Sequence, residues 1–428
     1  MDLTFIASTQ QHQECIFCAA HGTSSKLNHK DFHIIPKVTT NSLGEANMKF
    51  ALDLYQQLRK SEDNVFYSPV SVMTALAMLR LGAKGNTAQE IEKVLQVNEA
   101  TKKTTEKGTA CQDEKSENFH HHFQKIMTQL NKSTDAYDLK IANHIYGANT
   151  FQFFQEYLED IKKFYLANAE SLDFVNAAEE SRKKINSWVE SQTNGKIKDL
   201  FGSGTLKSNT VLVLVNAVYF KGQWNHKFYE KRTKEGKFCL NQNTSKSVQM
   251  MQQRNYFNFA LLEDVQAKVL EIPYKGKELS MFVLLPNEVD GLKELEDKLT
   301  ADKLTEWTSP QNMHMMEVYL SLPRFKVEEK YDLEDVLEHM GIKDAFSSGK
   351  ADFSGMSESL DLVVSKALHK SFVEVTEEGT EASASTGVEI SLTSSPISED
   401  FACDHPFLFF IKESKTNSIL FFGRVSSP

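Results

Sequence analysis

Long apolar runs are missing from this sequence. No stretch of its 428 residues reaches the roughly 18 consecutive apolar positions that a membrane helix needs, so no membrane partner is expected. Cysteine is scarce. Cys15, Cys18, Cys111, Cys239 and Cys403 are few and odd in number, which argues against a disulfide framework and for a reducing compartment. Positive charge is not in excess: 48 Lys and Arg stand against 58 Asp and Glu, well mixed, for a net charge of -10. A nucleic-acid binder would show a basic face, so none is expected. The start, Met1-Asp2-Leu3-Thr4-Phe5-Ile6-Ala7, has no basic region and too short an apolar run for a signal peptide. The expected location is cytoplasmic, with release to the extracellular space without a signal peptide left open. Catalytic motifs are missing too. There is no Gly-x-Ser-x-Gly elbow, no His-Glu-x-x-His and no P-loop, and Gly202-Ser203-Gly204 is too short to mean nucleotide binding. Cys15 and Cys18 with His21 lack the second ligand pair of a zinc site. In His120-His121-His122, adjacent helical residues point in different directions, which suits a solvated helix start better than a ligand cluster. No enzyme, metal or cofactor is expected.

What is present is an ordinary globular composition, 25% charged and 40% hydrophobic, long enough to bury a large core. Residues 1–40 are rich in His, Gln and Thr without lasting periodicity and are expected to be a disordered extension. From residue 41 the pattern is globular. Phe50, Leu52, Leu54 and Leu58 recur at helical spacing, and Ser68-Pro69 opens a second helix. Residues 101–118 form a charge-rich break, read as an exposed loop whose Lys102, Lys103 and Lys107 are simply solvated. Val211 to Phe220 is apolar and β-branched enough for a strand buried on both faces, and Phe282 to Leu285 and Val318 to Leu322 also read as strands. There is no internal repeat. Two glycosylation triplets, at Asn131 and Asn243, matter only in a secreted protein.

One stretch is chemically odd. Glu377 to Pro396 is small, polar and glycine-containing, as an exposed loop would be. It also alternates. Thr380, Ala382, Ala384, Thr386, Val388, Ile390 and Leu392 are small or apolar, and the residues between them are mostly polar. That is the period of a strand with one buried face. Taken alone, the alternation is as compatible with a loop or an ordinary edge strand.

Its flanks change the reading. Phe401-Ala402-Cys403-Asp404-His405-Pro406-Phe407-Leu408-Phe409-Phe410-Ile411 resembles the signature that follows the reactive loop of serpins. Asn216 to Trp224 (NAVYFKGQW), Ser68-Pro69-Val70-Ser71 with Leu81-Gly82-Ala83, and Leu322-Pro323-Arg324-Phe325 resemble further signatures in the family's order, and Glu374 to Gly379 resembles the loop's proximal hinge. Lys183 to Asn194 and the long break at 101–118 resemble the intracellular, ovalbumin-like branch, and within it the squamous cell carcinoma antigens. The resemblance implies an α+β, single-domain serpin fold over residues 41–428. It would have a large central β-sheet, further sheets, surrounding helices and an exposed reactive-centre loop at about 377–400.

It also implies a function. A target protease would attack the loop and be trapped as a covalent acyl-enzyme while the cut loop inserts as a strand into a sheet. About 14 residues at roughly 3.3 Å each would carry the protease on the order of 45 Å. Insertion needs small, uncharged inward residues after a free hinge. Glu377 and Gly379 begin the hinge, and Thr380, Ala382, Ala384 and Thr386 form the inward set, with Glu381 and Glu389 outward. Hinge spacing places the reactive bond between Thr393 and Ser394. Counting from Ser-Ser-Pro favours Ser394 and Ser395, and Leu392 suits a protease that reads a large apolar residue. Ser68, Ser71, Asn216 and His369 match the family's shutter, where the sheet opens, and on this reading His369 is no catalytic base. The expected partners are chymotrypsin-like serine or papain-like cysteine proteases. There is no basic residue between Glu377 and Asp400, so a trypsin-like target is not expected. The expected state is a monomer. The alternative is a non-inhibitory serpin-fold binding protein that is cleaved as a plain substrate.

Overall fold

In the computed structural model the described residues are 40–96, 112–378 and 398–428. All of them belong to the unit formed by residues 38–428, apart from residues 1–37. Residues 1–39 of the expected 1–40 extension, with the Cys15/Cys18 pair and His21, the loop lysines and residues 379–397 lie outside the described residues, and Thr40 begins α1.

Nine α-helices and fourteen strands can be followed among the described residues. The helices are α1 (Thr40–Leu58), α2 (Pro69–Gly82), α3 (Gly85–Val94), α4 (Gln112–Leu130), α5 (Gln155–Tyr165), α6 (Phe174–Gln192), α7 (Leu292–Lys298), α8 (Ala301–Trp307) and α9 (Leu333–Met340). One sheet has five strands in the order β10-β11-β4-β2-β3: β10 Phe325–Asp332, β11 Val364–Val375, β4 Leu212–Gly222, β2 Tyr137–Ala148 and β3 Asn168–Leu172. The other has nine: β1 (Val65–Tyr67), β14 (Ile419–Val425), β13 (Phe407–Glu413), β8 (Leu279–Pro286), β7 (Ala267–Pro273), β6 (Thr244–Leu262), β9 (His314–Pro323) and β12 (Glu399–Ala402) in that order, with β5 (Lys234–Asn241) also paired to β6.

The local reasons are legible. Phe50, Ala51, Leu54 and Tyr55 share one buried side of α1, and Leu52 is buried on another. The Ser68 hydroxyl caps α2 by accepting the Ser71 N–H at 3.3 Å, and Pro69 at the first turn has no N–H to leave unpaired. α2 is apolar nearly all round and buried along its length, as a helix inside a large core must be. In β4 the alternating Val213, Val215, Ala217 and Tyr219 pack with Ile185 and Val189 of α6. Leu212 and Leu214 on the opposite face join the main core, and Val218 and Phe220 the second core. Both faces are covered, so the apolar run reads as one buried strand.

The structure corrects two expectations. The break at 101–118 does not stay a loop, because α4 begins at Gln112. Charge alone suggested solvent, whereas Gln, Glu and Lys are also good helix formers. His120 is therefore not at a solvated helix start. It sits a good two turns into α4, buried, with Nδ1 hydrogen-bonded to the Tyr165 hydroxyl of α5. Burial, with Arg80 and His121 adding, lowers its pKa to about 3.

Candidate functional site

The five-stranded sheet has a parallel seam at its centre, besides the parallel β2–β3 pair at its edge. β10 and β11 pair antiparallel, and so do β2 and β4, but β11 and β4 at the centre run parallel, from Val364 opposite Leu212 to Val373 opposite Phe220. Parallel ladders have slanted bonds and are slightly weaker per residue than antiparallel ones. Both strands end on the same side, and the chain leaves β11 there, after Val375. A segment turning back from that point would run antiparallel to both strands. Placed between them, it would exchange one parallel ladder for two antiparallel ones.

The middle of the seam is fastened by side chains. His369 of β11 lies directly opposite Asn216 of β4. Its Nδ1 donates to Asn216 Oδ1, and its Nε2 accepts the backbone N–H of Ser68 at 3.0 Å. The second contact fixes the neutral tautomer, because a protonated Nε2 could not accept. Burial, the only cause acting on this ring, lowers its pKa to about 3. Asn216 Nδ2 donates to Ser71 Oγ at 2.6 Å and to Asn143 Oδ1 on β2. Ser68 Oγ donates to the Leu420 carbonyl at 2.6 Å. Ser68, Ser71, Asn216 and His369 are all fully buried. The start of α2 thus holds one hand of each central strand.

The exit end of the seam is fastened separately. The Glu377 carboxylate is covered but shallow. It accepts from Arg324 Nε at 3.0 Å and Nη2 at 2.5 Å, and from the Thr233 hydroxyl at 2.6 Å. Burial pushes this carboxyl upward, but the Arg324 and Thr233 hydrogen bonds outweigh it and hold the pKa below the ordinary value. Trp224 Nε1 donates to the Thr376 carbonyl at 2.9 Å, and Lys221 pairs with Glu378 at 3.1 Å. The Trp224 ring stacks on Tyr274 with centroids 4.5 Å apart. Tyr274 in turn covers Gly222, where an added Cβ would fall 2.4 Å from its ring carbons. The run from Lys221 to Trp224 therefore builds the platform on which the end of β11 rests.

Comparison with known proteins agrees with this geometry. A family model described as "Serpin (serine protease inhibitor)" matches residues 45–428. The chain belongs to the serpin family. Human Serpin B4, one of the squamous cell carcinoma antigens, is 65% identical over 91% of this chain and 100% of its own length. Human leukocyte elastase inhibitor is 45% identical over 90% of this chain and 99% of its own. Uncleaved ovalbumin superposes with a TM-score of 0.82 at 39% identity, covering 90% of this chain and 100% of that one. The family, the ovalbumin-like branch and the α+β serpin fold expected from the motifs are thereby shown.

Of the residues singled out in this serpin by sequence, the structure brings Ser68, Ser71, Asn216 and His369 into one network. It puts Glu377 at the exit end of β11. Gly379, Thr380, Ala382, Ala384, Thr386, Leu392, Thr393, Ser394 and Ser395 lie outside the described residues. Sequence reasoning missed Asn143, Thr233 and Lys221 and gave Arg324 no role. Arg324 stands in a recognised motif and could have been paired with the acids Glu374, Glu377 and Glu378 at the end of β11. Asn143 gave no signal, since only the β2–β4 register places it beside Asn216.

Proposed function

We propose that this serpin is a suicide-substrate inhibitor that traps serine or papain-like cysteine endopeptidases as acyl-enzymes. The observation that carries the reading is the parallel β11–β4 seam with the chain leaving β11 at its open end. A cleaved loop has there a ready strand position, and its alternating small residues have the period to fill it. The name of leukocyte elastase inhibitor, a relative matched over 99% of its own length, supports the same class of activity. On this reading Thr393–Ser394 is the reactive bond, with Leu392 and Ser395 marking the alternatives. Glu377, Gly379, Thr380, Ala382, Ala384 and Thr386 form the hinge and inserting segment. Ser68, Ser71, Asn216 and His369 act as the gate. The chain works as a cytoplasmic monomer, with no cofactor and no turnover of its own.

Protease trapping tests this directly. The protein is mixed with cathepsins L, S and K, cathepsin G, chymase and trypsin. Complexes are resolved on denaturing gels, and the released C-terminal peptide is weighed. A gel-stable complex with a serine protease, or lasting loss of cysteine-protease activity, is expected, with a peptide beginning at Ser394. Cleavage by every protease without loss of its activity, and without a rise in the thermal stability of the cut serpin, would favour the plain-substrate alternative.

A further inference from the structure

The β11–β4 seam is not bare. α6 lies on the face of β4 that carries Val213, Val215 and Ala217, through Ile185 and Val189. Residues 193–201, which follow α6, continue across the seam. Ile197, Leu200 and Phe201 share one core cluster with Val215 of β4 and with Leu368 and Phe372 of β11. Lys370 Nζ of β11 donates to the Lys198 carbonyl at 2.9 Å. Asn186 of α6 holds this strap at both main-chain groups of Phe201. Its Nδ2 donates to the carbonyl at 2.9 Å, and its Oδ1 accepts the N–H at 2.8 Å. A strand entering between β11 and β4 has to displace the strap, and α6 with it.

Beneath α6 sits a buried group that the trapping mechanism does not use. His144 of β2 is 4% exposed, and neither of its ring nitrogens has a hydrogen-bond partner among the described residues. Its ring stacks on Tyr146 with centroids 4.1 Å apart and meets Trp188 of α6 in a T-shape at 4.7 Å. Val215 of β4 and Asn168 of β3 lie opposite it. The charges that act on the ring are Glu170 of β3 and Lys184 of α6, which pair with each other and are both partly exposed. Burial keeps the Tyr146 hydroxyl protonated. A neutral imidazole leaves one donor and one acceptor unpaired here, whereas an imidazolium would leave two donors and a charge. Burial, opposed by Glu170 and reinforced by Lys184, lowers the pKa to about 4. Lifting α6 and Trp188 opens the ring to water, where it titrates near 6.5. Acid therefore favours the lifted helix. Between pH 7 and pH 5 this one ring shifts the balance toward it by about twentyfold. We propose that His144 is a proton-operated latch: seated against Trp188 it keeps α6 and the strap down at neutral pH, and its protonation releases them and opens the β11–β4 seam to the loop. The proposal rests on the inhibitor reading and adds to it a regulation by acid.

The latch can be tested without a protease. The full-length chain is compared at pH 7 and pH 5 with a His144→Phe variant, which keeps an aromatic ring that cannot take a proton. Hydrogen exchange gives the protection of the α6 amides, corrected for the intrinsic effect of pH. A synthetic peptide with the sequence of residues 380–392 is then added, and the rate at which it raises the thermal midpoint measures entry into the seam. On going to pH 5, α6 protection should fall about twentyfold more in the unaltered chain than in the variant. Peptide entry should quicken more in the unaltered chain as well. His369 also responds to acid, but it does so in both proteins and cancels in the comparison. An equal acid response of the two proteins, with peptide entry in both, would overturn the latch and leave the inhibitor reading standing. If His144→Phe does not fold, the unaltered chain decides alone: α6 protection that falls in acid no more than that of β7 would overturn the latch as well. If the peptide enters neither protein at either pH, the seam takes no strand. The inhibitor reading then fails, and the latch has nothing to gate.

Discussion

Asn216 does the work of a hub. One side-chain amide binds His369 on the neighbouring strand, Ser71 on α2 and Asn143 on β2. Replacing it with Ala strands several buried polar groups at once. Each costs about 1–3 kcal/mol when left unsatisfied. Asn216→Ala is therefore expected to lower stability by about 2–4 kcal/mol, read as a shift of the urea midpoint. It should also raise the fraction of loop cleavage that ends in release rather than trapping. Arg324 has a smaller task. Its side chain is 45% exposed while Glu377 is nearly covered, so the pair is strong in geometry but partly screened. Arg324→Ala should cost about 1 kcal/mol. Its clearer effect is local: amide exchange at the end of β11, around Val375 and Thr376, should speed up while the middle of the sheet stays protected.

At the scale of elements, the central question is which strand comes between β11 and β4. If the loop inserts, its phase matters more than its composition. Thr380→Arg puts a charge on the inward set, where it meets a packed sheet face and carries a desolvation cost of several kcal/mol. Glu381→Arg puts the same side chain one residue later, facing outward. The first should turn most encounters into plain cleavage, with the stoichiometry of inhibition rising several-fold, and the second should leave it near that of the unaltered chain. Equal effects would mean that the alternation has no role. Some elements were open to sequence reading and others were not. β4 was legible because a strand buried on both faces needs apolar side chains at almost every position. α2 was legible because Ser68-Pro69 is a start signal with a mechanism behind it. The start of α4 was not, because a polar helix end and a polar loop share a composition. Ser68, Ser71, Asn216 and His369 could be named from their motifs. The parallel partnership that gives them meaning is a long-range pairing between residues about 150 positions apart, such as Asn216 and His369, and local sequence does not encode it.

For the whole molecule, the sharpest consequence concerns acid. Three buried histidines are held neutral in the folded state. Burial lowers His120 and His369 to about 3 and His144 to about 4. In the unfolded chain each would titrate near 6.5. Between pH 6.5 and about 4 the unfolded state therefore binds up to three more protons at these sites, so stability must fall as the pH falls. Carboxyls raised by burial oppose them: Asp53, Asp160 and, with the largest displacement, Glu329. Burial, with Asp63 and Glu328 nearby, raises Glu329 to about 7. The folded state then binds the extra proton between about 7 and the unfolded value, and its contribution grows as the pH drops. Glu329 is only half covered, so its effect is discounted. His405 is displaced the other way from the three. Burial pulls it down, but Asp404 and the Pro286 carbonyl outweigh that and raise it. Its contribution is complete below the unfolded value and is lost only as the pH rises past the folded one, so it adds no slope in acid. The net difference is two to three protons, or about 3 kcal/mol per pH unit at the steepest point. Urea midpoints at pH 7, 6 and 5 should drop progressively, and Glu329→Gln should steepen the drop by removing the most displaced of the opposing groups. His369→Gln should lower the midpoint at pH 7 yet flatten its dependence on pH. Because His369 Nε2 accepts the Ser68 N–H, its protonation would break that link between β11 and α2. The early steps of acid opening should therefore appear as faster amide exchange along β11 and β4, before the nine-stranded sheet responds. A flat stability profile from pH 7 to 5 would mean that these rings are not held neutral.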